Sequence, residues 1–199
     1  MNKAMLVGVI VLGLAVPALV GAQETTRPHK APETADSKSG TGDQAWMTKV
    51  AQGGMAEVEL GKLAADKASS DEVKKFGQRM VDDHSKANDE LKTLAQNKKV
   101  TLPTDIDAKH KAERDRLAKL SGAAFDRAYM QAMLADHRQD VAEFRKEASS
   151  GKDADVKAFA AKTLPTLEEH LKMAQDANRA VGTSGTKTKD STKTKDSKK

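Results

Sequence analysis

Cysteine is absent from this chain of 199 residues. Its absence excludes disulfides, iron–sulfur clusters and thiolate zinc sites, so any metal ion must be held by His, carboxylate or Met. Aromatic residues make up only 3% of the sequence, which leaves few rings on which a single-stranded nucleic acid could stack. The sequence also lacks an alternating strand pattern and an apolar run of the ~20 residues that a membrane span needs.

The middle of the chain carries little net charge. The formal net charge of +5 comes mainly from Lys3 and from a lysine-rich tail that begins at Gly182, whereas residues 23–181 are close to neutral. A nucleic-acid-binding face needs Lys and Arg clustered on one surface. We therefore expect no nucleic-acid partner.

The two ends of the chain predict an export signal and a polar tail around one folded domain. Lys3 precedes an apolar segment that stops at Pro17, and Val20 and Ala22 fit a cleavage site; an uncleaved N-terminal anchor is the alternative. The predicted division is a signal peptide over 1–22, a flexible linker over 23–42, a folded domain over 43–181 and a disordered Lys/Thr-rich tail over 182–199. We expect an exported, periplasmic protein with no stable transmembrane span after cleavage. The basic tail allows a peripheral contact with the envelope, including the outer membrane, and the oligomeric state stays open.

Apolar residues recur at three- and four-residue spacing through the predicted domain, which is typical of amphipathic helices. The predicted helices run from about Asp43 to Ala68, from Ser69 to beyond Leu94, from Asp105 to Leu120, from Ser121 to Ser150 and from Asp153 to Val181. Small residues on the first helix favour a close approach of its neighbours. Two helical hairpins joined by a long crossover, which contains the short helix, predict an all-α, ferritin-like four-helix bundle.

Local signals predict how these helices begin and end. Ser69 and Glu72 match a capping box at the start of the second helix. Gly151 is expected to end the third long helix in the left-handed conformation, and Asp153 to cap the next one. Pro165 is expected to kink the last helix or to divide it.

Three histidines, each directly after an acidic residue, fall on the apolar faces of three different long helices. They are His84, His137 and His170, and the fourth long helix carries Glu57 on its inward face. At a rise of ~1.5 Å per residue, Glu57 and His84 lie at similar distances from their turn, whereas His137 and His170 differ by about one helical turn. Asp140 follows His137 on the same face. The spacing therefore allows a single buried layer of these five residues.

This layer supports two hypotheses. Imidazole and carboxylate together suit a divalent metal such as Zn, Fe, Mn or Cu, so Glu57, His84, His137, Asp140 and His170 are candidate ligands. The other hypothesis is a buried polar network that fixes helix register without a metal. The acids that precede the histidines point elsewhere on their helices and are expected to act as partners of neighbouring groups.

Two more specific metal chemistries receive less support. The di-iron signature Glu-x-x-His is missing, because Val81, Leu134 and Leu167 precede the histidines by three residues. Thioether ligation of copper by Met80, Met133 and Met173 is a further option, since each lies three or four residues from a histidine. Core methionines at helical spacing more often fill space.

Two motifs around these histidines resemble one known family. MVDDHSKAN and FDRAYMQAMLADH, followed by LPTLEEHLKMA, are similar to the bacterial family called domain of unknown function 4142, over about residues 44–181. The resemblance implies an exported protein with a ferritin-like bundle, in a family without a characterised activity. It adds little about chemistry.

From the sequence alone we favour a non-catalytic, exported helical-bundle protein, related to the envelope or to stress, with a buried His/carboxylate cluster. The alternative is a protein that binds or buffers metal through the inward His and Glu/Asp residues. Whether the protein is an enzyme is left open. The sequence leans against catalysis, because no nucleophile elbow or phosphate-binding loop occurs.

Overall fold

The computed structural model describes residues 40–187, with side chains as far as residue 183. Its helices are α1 (Thr41–Lys67), α2 (Asp71–Asn97), α3 (Ala108–Ala118), α4 (Gly122–Ser150) and α5 (Ala154–Lys187). No strand occurs in this part of the chain, so the predicted all-α class is confirmed. None of the described helices is both long and apolar enough to cross a membrane. The predicted signal peptide lies outside the described residues, as do most of the linker and of the tail.

The four long helices form two hairpins. α1 and α2 are joined by the turn at 68–70, and α4 and α5 by the turn at 151–153. α1 contacts α4 and α2 contacts α5, while α3 lies in the crossover against α1 and α4. All four long helices therefore face one shared interior.

The turn of the first hairpin is held by a residue of the second. The buried carboxylate of Asp126, on α4, accepts hydrogen bonds from the backbone N–H of Ser69 and of Ser70, each at 3.0 Å, and from the Ser69 hydroxyl at 2.5 Å. The predicted capping box is therefore wrong. Helix α2 begins at Asp71 after Ser70 without a side-chain cap, because the Ser69 hydroxyl donates to another helix instead of capping its own.

The turn of the second hairpin is held in the same way by the first. Asp43, near the start of α1, accepts hydrogen bonds from the backbone N–H of Lys152 at 3.2 Å and of Asp153 at 2.8 Å. Asp153 in turn caps α5, because its carboxylate accepts from the N–H of Asp155 and of Val156. This cap confirms the prediction for Asp153.

This reciprocity reflects a repeat in the sequence. Asp43 lies in the first hairpin and Asp126 in the second. Several other pairs of similar residues, one in each hairpin, have the same separation in sequence. The pairs are Trp46 with Tyr129, Met47 with Met130, Val73 with Val156 and Phe76 with Phe159. The two hairpins thus carry similar residues at equivalent positions of their turns and cores.

The left-handed conformation predicted for Gly151 is wrong. Gly151 has φ −55°; glycine is required there because a Cβ would lie 2.7 Å from Oε1 and 2.8 Å from the carbonyl oxygen of Glu147. Of the two outcomes predicted for Pro165, division of the helix is wrong, because α5 is continuous from Ala154 to Lys187; the kink stays a prediction. A proline removes only one backbone donor from the helix. Because α5 packs against α2 and α4, these contacts stabilise it through Pro165.

Helix α3 is shorter than the predicted Asp105–Leu120. It begins at Ala108 because the carboxylate of Asp107 accepts the N–H of His110 at 2.9 Å, which makes Asp107 the N-cap. It ends at Ala118. Its buried Leu117 packs against the interior.

The interior consists of two apolar clusters. One lies at the α1–α2 turn, and its largest buried side chains are Phe76, Phe125, Tyr129, Met80 and Met133. The other lies at the α4–α5 turn around Trp46, Phe144 and Phe159. Glu57 and the three histidines, one buried polar residue from each long helix, lie between the two clusters.

Glycines bring α1 and α2 unusually close beside this polar level. A Cβ on Gly61 would lie 2.5 Å from the carbonyl oxygen of Gly77, and a Cβ on Gly77 would lie 2.8 Å from that of Gly61. This confirms that small residues on the first helix permit a close approach. It also brings Glu57, one turn before Gly61, within reach of α2.

We predict that Asp126→Ala lowers the free energy of unfolding by about 1–3 kcal/mol, because it leaves the donors of Ser69 and Ser70 without their acceptor. Urea unfolding followed by circular dichroism measures this change. Asp66→Ala, at an exposed position of α1, is the control and should change it by less than ~0.5 kcal/mol. Equal stability of the two variants would contradict the role of Asp126 as a clamp on the turn.

Candidate metal centre

Four polar side chains, one from each long helix, are buried between the apolar clusters. The exposed fractions of the residues are 5% for Glu57, 7% for His84, and 0% for His137 and His170. A buried polar group is costly unless it has a partner. The contacts among these four groups therefore decide what the layer can do.

The three imidazole rings form a nearly equilateral triangle. Their centroids are 5.9 Å apart for His84 and His137, and 5.4 Å apart for each of the other two pairs. One nitrogen from each ring lies within 4.8 Å of the others. The structure thus brings His137 and His170 to the same level, although equal rises along their helices would leave them one turn apart.

Glu57 provides the negative charge of the layer. Its Oε2 lies 2.6 Å from Nε2 of His84, and its Oε1 lies 3.4 Å from Nδ1 of His137. Burial opposes the ionisation of Glu57, but attraction to His84 and His137 outweighs it and lowers its pKa to about 2. Glu57 is therefore an ionised carboxylate that needs positive charge beside it, as a proton or as a metal ion.

A backbone carbonyl fixes the proton position on His137. Nδ1 of His137 lies 2.9 Å from the carbonyl oxygen of Met133, one turn earlier on α4. Because a carbonyl only accepts, Nδ1 carries the proton and the lone pair of the neutral ring is on Nε2. That Nε2 atom is buried and has no hydrogen-bond partner among the described residues.

A carboxylate fixes the proton position on His170 in the same manner. Nε2 of His170 lies 2.7 Å from Oδ2 of Asp83, so it donates and leaves the lone pair on Nδ1. Arg79 pairs with the same carboxylate. Burial raises the pKa of Asp83, but the hydrogen bonds from Arg79 and His170 outweigh it and lower that pKa. This confirms the expectation that an acid preceding a histidine serves a group on another helix.

His170 is neutral at physiological pH. Burial, together with the nearby imidazoles of His84 and His137, lowers its pKa to about 4 against the opposing effect of Asp83. A neutral imidazole is the form that binds metals. Its Nδ1 is buried and, within residues 40–183, has no hydrogen-bond partner.

The third ring, His84, contacts Glu57. Its buried Nε2 lies 2.6 Å from Oε2 of Glu57 as an ion pair, in a geometry that does not meet hydrogen-bond criteria. The layer therefore holds, on each of His84, His137 and His170, one buried nitrogen without a hydrogen bond among the described residues, and that of His84 contacts the carboxylate. These nitrogens, with the adjacent Glu57 carboxylate, are the donors that could hold a metal ion.

Asp140 is near this layer but stands apart from the histidine triangle. Among the described residues, the group of three or more potential ligands whose donor atoms all lie within 4.8 Å of one another consists of the three histidines and does not include Asp140. Asp140 is half-buried and lines a cavity that also reaches Glu57, His84 and His170. Burial and the charges of Glu57 and Asp136 raise its pKa well above the usual range.

The methionines considered as copper ligands lie in apolar surroundings. Met80 and Met133 are fully buried in the cluster at the α1–α2 turn, and Met173 packs against its edge. The sequence argument missed the carbonyl of Met133 and the guanidinium of Arg79 as groups that orient the histidines. An Arg four residues before an Asp is a visible signal for such an ion pair; a backbone carbonyl has no sequence signature.

The family model described as "Domain of unknown function (DUF4142)" matches residues 27–177. The chain belongs to this family. No curated protein sequence matches it.

Two solved structures share the fold. A DUF305 fragment from Deinococcus radiodurans has a TM-score of 0.63 at 12% identity, with 72% of this chain and 97% of that one covered. CopM in its Cu(II)-bound form has a TM-score of 0.59 at 18% identity, with 69% and 96% covered. At these identities the likeness establishes the fold alone.

We predict that His170 makes the metal-free protein less stable as the pH falls from 6.5 towards 4. In this range His170 is protonated in the unfolded state but neutral in the folded state, so the free energy of unfolding rises with pH. The stabilisation due to the neutral His170 is fully present above pH 6.5 and is lost as the pH falls towards 4. The slope from one such group cannot exceed about 1.4 kcal/mol per pH unit.

Unfolding in urea with a chelator, between pH 4.5 and 7, measures this slope while Glu57 stays ionised in the folded state. His170→Asn should flatten the dependence, whereas His110→Asn, in α3, should leave most of it in place. An unchanged slope in His170→Asn would mean that the folded protein accepts a proton there as readily as the unfolded chain.

Proposed function

We propose that this protein binds a divalent transition metal ion, copper in preference to zinc, at His84, His137 and His170. The observation that carries the proposal is the convergence of three buried imidazoles, each of which offers a nitrogen within 4.8 Å of the others. Each ring also has a buried nitrogen without a hydrogen bond among the described residues. Imidazole donors suit both metals, and the general order of affinities places Cu²⁺ above Zn²⁺. The four long helices would then act as a ferritin-like bundle that holds the site, with α3 in the crossover.

Two features make the set suitable for a metal before one arrives. The Met133 carbonyl and the Asp83 carboxylate fix the protons of His137 and His170 on one ring nitrogen, which leaves the lone pair on the other, buried nitrogen. A second group that holds a ligand ring in place raises metal affinity by orienting it. Glu57 supplies a negative charge that would offset part of the charge of the ion, and Asp140 remains a candidate for a further oxygen ligand.

One of the two similar structures, CopM, is in a Cu(II)-bound form, which agrees with this assignment. We further propose an exported, periplasmic location, supported by the signal-like composition of residues 1–22. A role in binding or buffering metal, without catalysis, fits a site that lies inside the helical core.

A second candidate function is a metal-free structural role in the cell envelope, which the sequence alone favours. The observation in its favour is that Glu57 already has an imidazole at 2.6 Å and another at 3.4 Å. Charge compensation of the carboxylate therefore does not require a metal. Metal content decides between the two candidates.

We predict close to one copper or zinc ion per chain in protein purified untagged from the periplasm without chelator. His84→Ala/His137→Ala should lose this metal because two of three nitrogen ligands are removed, whereas His110→Ala should keep it. Mass spectrometry of metal content measures both. Substoichiometric metal that is the same in all three proteins, and unchanged after Cu, Zn, Fe and Mn are offered, would leave the histidines with a structural role only.

We predict that Asp83→Asn weakens metal binding by roughly 10–100-fold, the usual cost of losing the group that orients a ligand histidine. The amide cannot replace the charge that holds the His170 proton on Nε2. Competition with a chelator of known affinity measures the change. The control is Asp82→Asn, the neighbouring acid, which accepts a hydrogen bond from Gln78 on the exposed face of α2; equal affinities of the two variants would contradict the role of Asp83.

A further inference from the structure

A cavity of about 130 Å³ connects the surface to the histidine layer. Its lining includes the exposed side chains of Lys49 and Gln139 at one side and the buried His84 and His170 at the other. A buried metal site can be loaded only if the ion has a path to it. This cavity provides such a path without unfolding of a helix.

The charge of the cavity lining is uneven. Besides Glu57 at its inner end, the side of α1, α3 and α4 carries four carboxylates, here called the acidic mouth: Asp107, Asp136, Asp140 and Glu143. The basic groups on that side are His110, Lys109 and Lys49, and Lys49 pairs with Glu143. The side of α2 and α5 is lined by the neutral Asn88, Thr163 and Thr166 and by Asp83, which already pairs with Arg79 and His170.

Buried acceptors lie at the inner end of the acidic mouth. Oε1 of Glu57 and Nδ1 of His170 have no hydrogen-bond partner in the described part of the chain, and both residues line the cavity. The exposed fractions are 5% for Glu57 and 0% for His170. The carboxylates of the mouth therefore lead to groups with electron pairs to donate, as expected of a path for cations.

We propose that metal ions reach the three histidines through the acidic mouth between α1, α3 and α4, and leave by the same path. This proposal rests on the function proposed above and adds the direction of access. It assigns Asp136 and Glu143 a kinetic role, in attracting the ion, that differs from the role of the ligands. An excess of carboxylates over lysines in a cleft attracts cations and raises their association rate.

A glycine in the cavity wall allows a steric test. A Cβ on Gly53 would meet no atom within 4 Å, and Gly53 lines the cavity. Gly53→Leu should obstruct the mouth and slow metal binding and metal release several-fold by the same factor, so that the dissociation constant is unchanged. Gly42→Leu is the matched control, because Gly42 is also a residue of α1 with open space around it but does not line the cavity.

Trp46 provides the readout. It is the only tryptophan of the chain, and its ring lies 4.9 Å from that of Phe144 and 6.2 Å from that of Phe159, both of which line the cavity. Stopped-flow quenching of its fluorescence by Cu(II) gives the association rate, and transfer of copper to a chelator gives the release rate. Gly53→Leu rates equal to those of Gly42→Leu would overturn the proposal.

A charge test is independent of the steric one and covers the case in which Gly53→Leu does not fold. Asp136→Asn/Glu143→Gln should lower the association rate by roughly threefold to tenfold at low salt, with a smaller difference at high salt. Glu168→Gln/Asp176→Asn removes the same charge from the exposed surface of α5 and should have little effect. Equal rates in the two double variants would also overturn the proposal.

The outcomes separate this proposal from the proposed function. If copper binds tightly to the wild type and neither the Gly53 variant nor the charge variant changes its rates, the proposed access route is wrong and the proposed metal site stands. Failure of the wild type to bind copper or zinc at all would remove both.

Discussion

The buried carboxylate of Glu57 is the constraint on which the arrangement of the long helices depends. An ionised group inside an apolar core is tolerated only with positive or donating groups around it. The other three long helices each contribute one imidazole at the level of Glu57, and its oxygens lie 2.6 Å and 3.4 Å from two of them. A shift of any helix by one turn would remove a partner, so this layer contributes to the register of all four helices, together with the close packing on either side of it.

The two hairpins are similar, yet the site they form is asymmetric. Asp43 and Asp126 clamp each other's turns in an equivalent way. At the polar level the equivalence is lost. By the same spacing, Glu57 corresponds to Asp140 and His84 to Leu167. His137 corresponds to Gly54 and His170 to Ala87. Each hairpin therefore supplies a different part of the donor set, and neither hairpin alone contains the triangle. The scaffold is symmetric because both turns need a clamp, whereas a single small site needs only one set of donors.

The histidines differ from ordinary core residues in the state of their second nitrogen. His137 and His170 each have one nitrogen committed, to a backbone carbonyl and to Asp83, and the other buried without a partner among the described residues. A purely structural network would be expected to satisfy both, because an unpaired buried acceptor costs stability. Orientation by one nitrogen with the other left free is the arrangement that metal-binding histidines require. The same layer can thus fix register and hold an ion.

The sequence by itself determined the all-α class, the order and approximate bounds of the helices, and the four polar residues that lie inward. These follow from local rules, since periodicity places Glu57, His84, His137 and His170 on apolar faces whatever the neighbours are. Only the tertiary structure decided how those residues meet. The level of His170 relative to His137, the transfer of Ser69 from a capping role to Asp126, and the separation of Asp140 from the triangle all depend on contacts between distant segments. Helical spacing fixes a direction around an axis and a height along it, but the relative rotation and offset of two helices are set by close packing, such as that of Gly61 against Gly77.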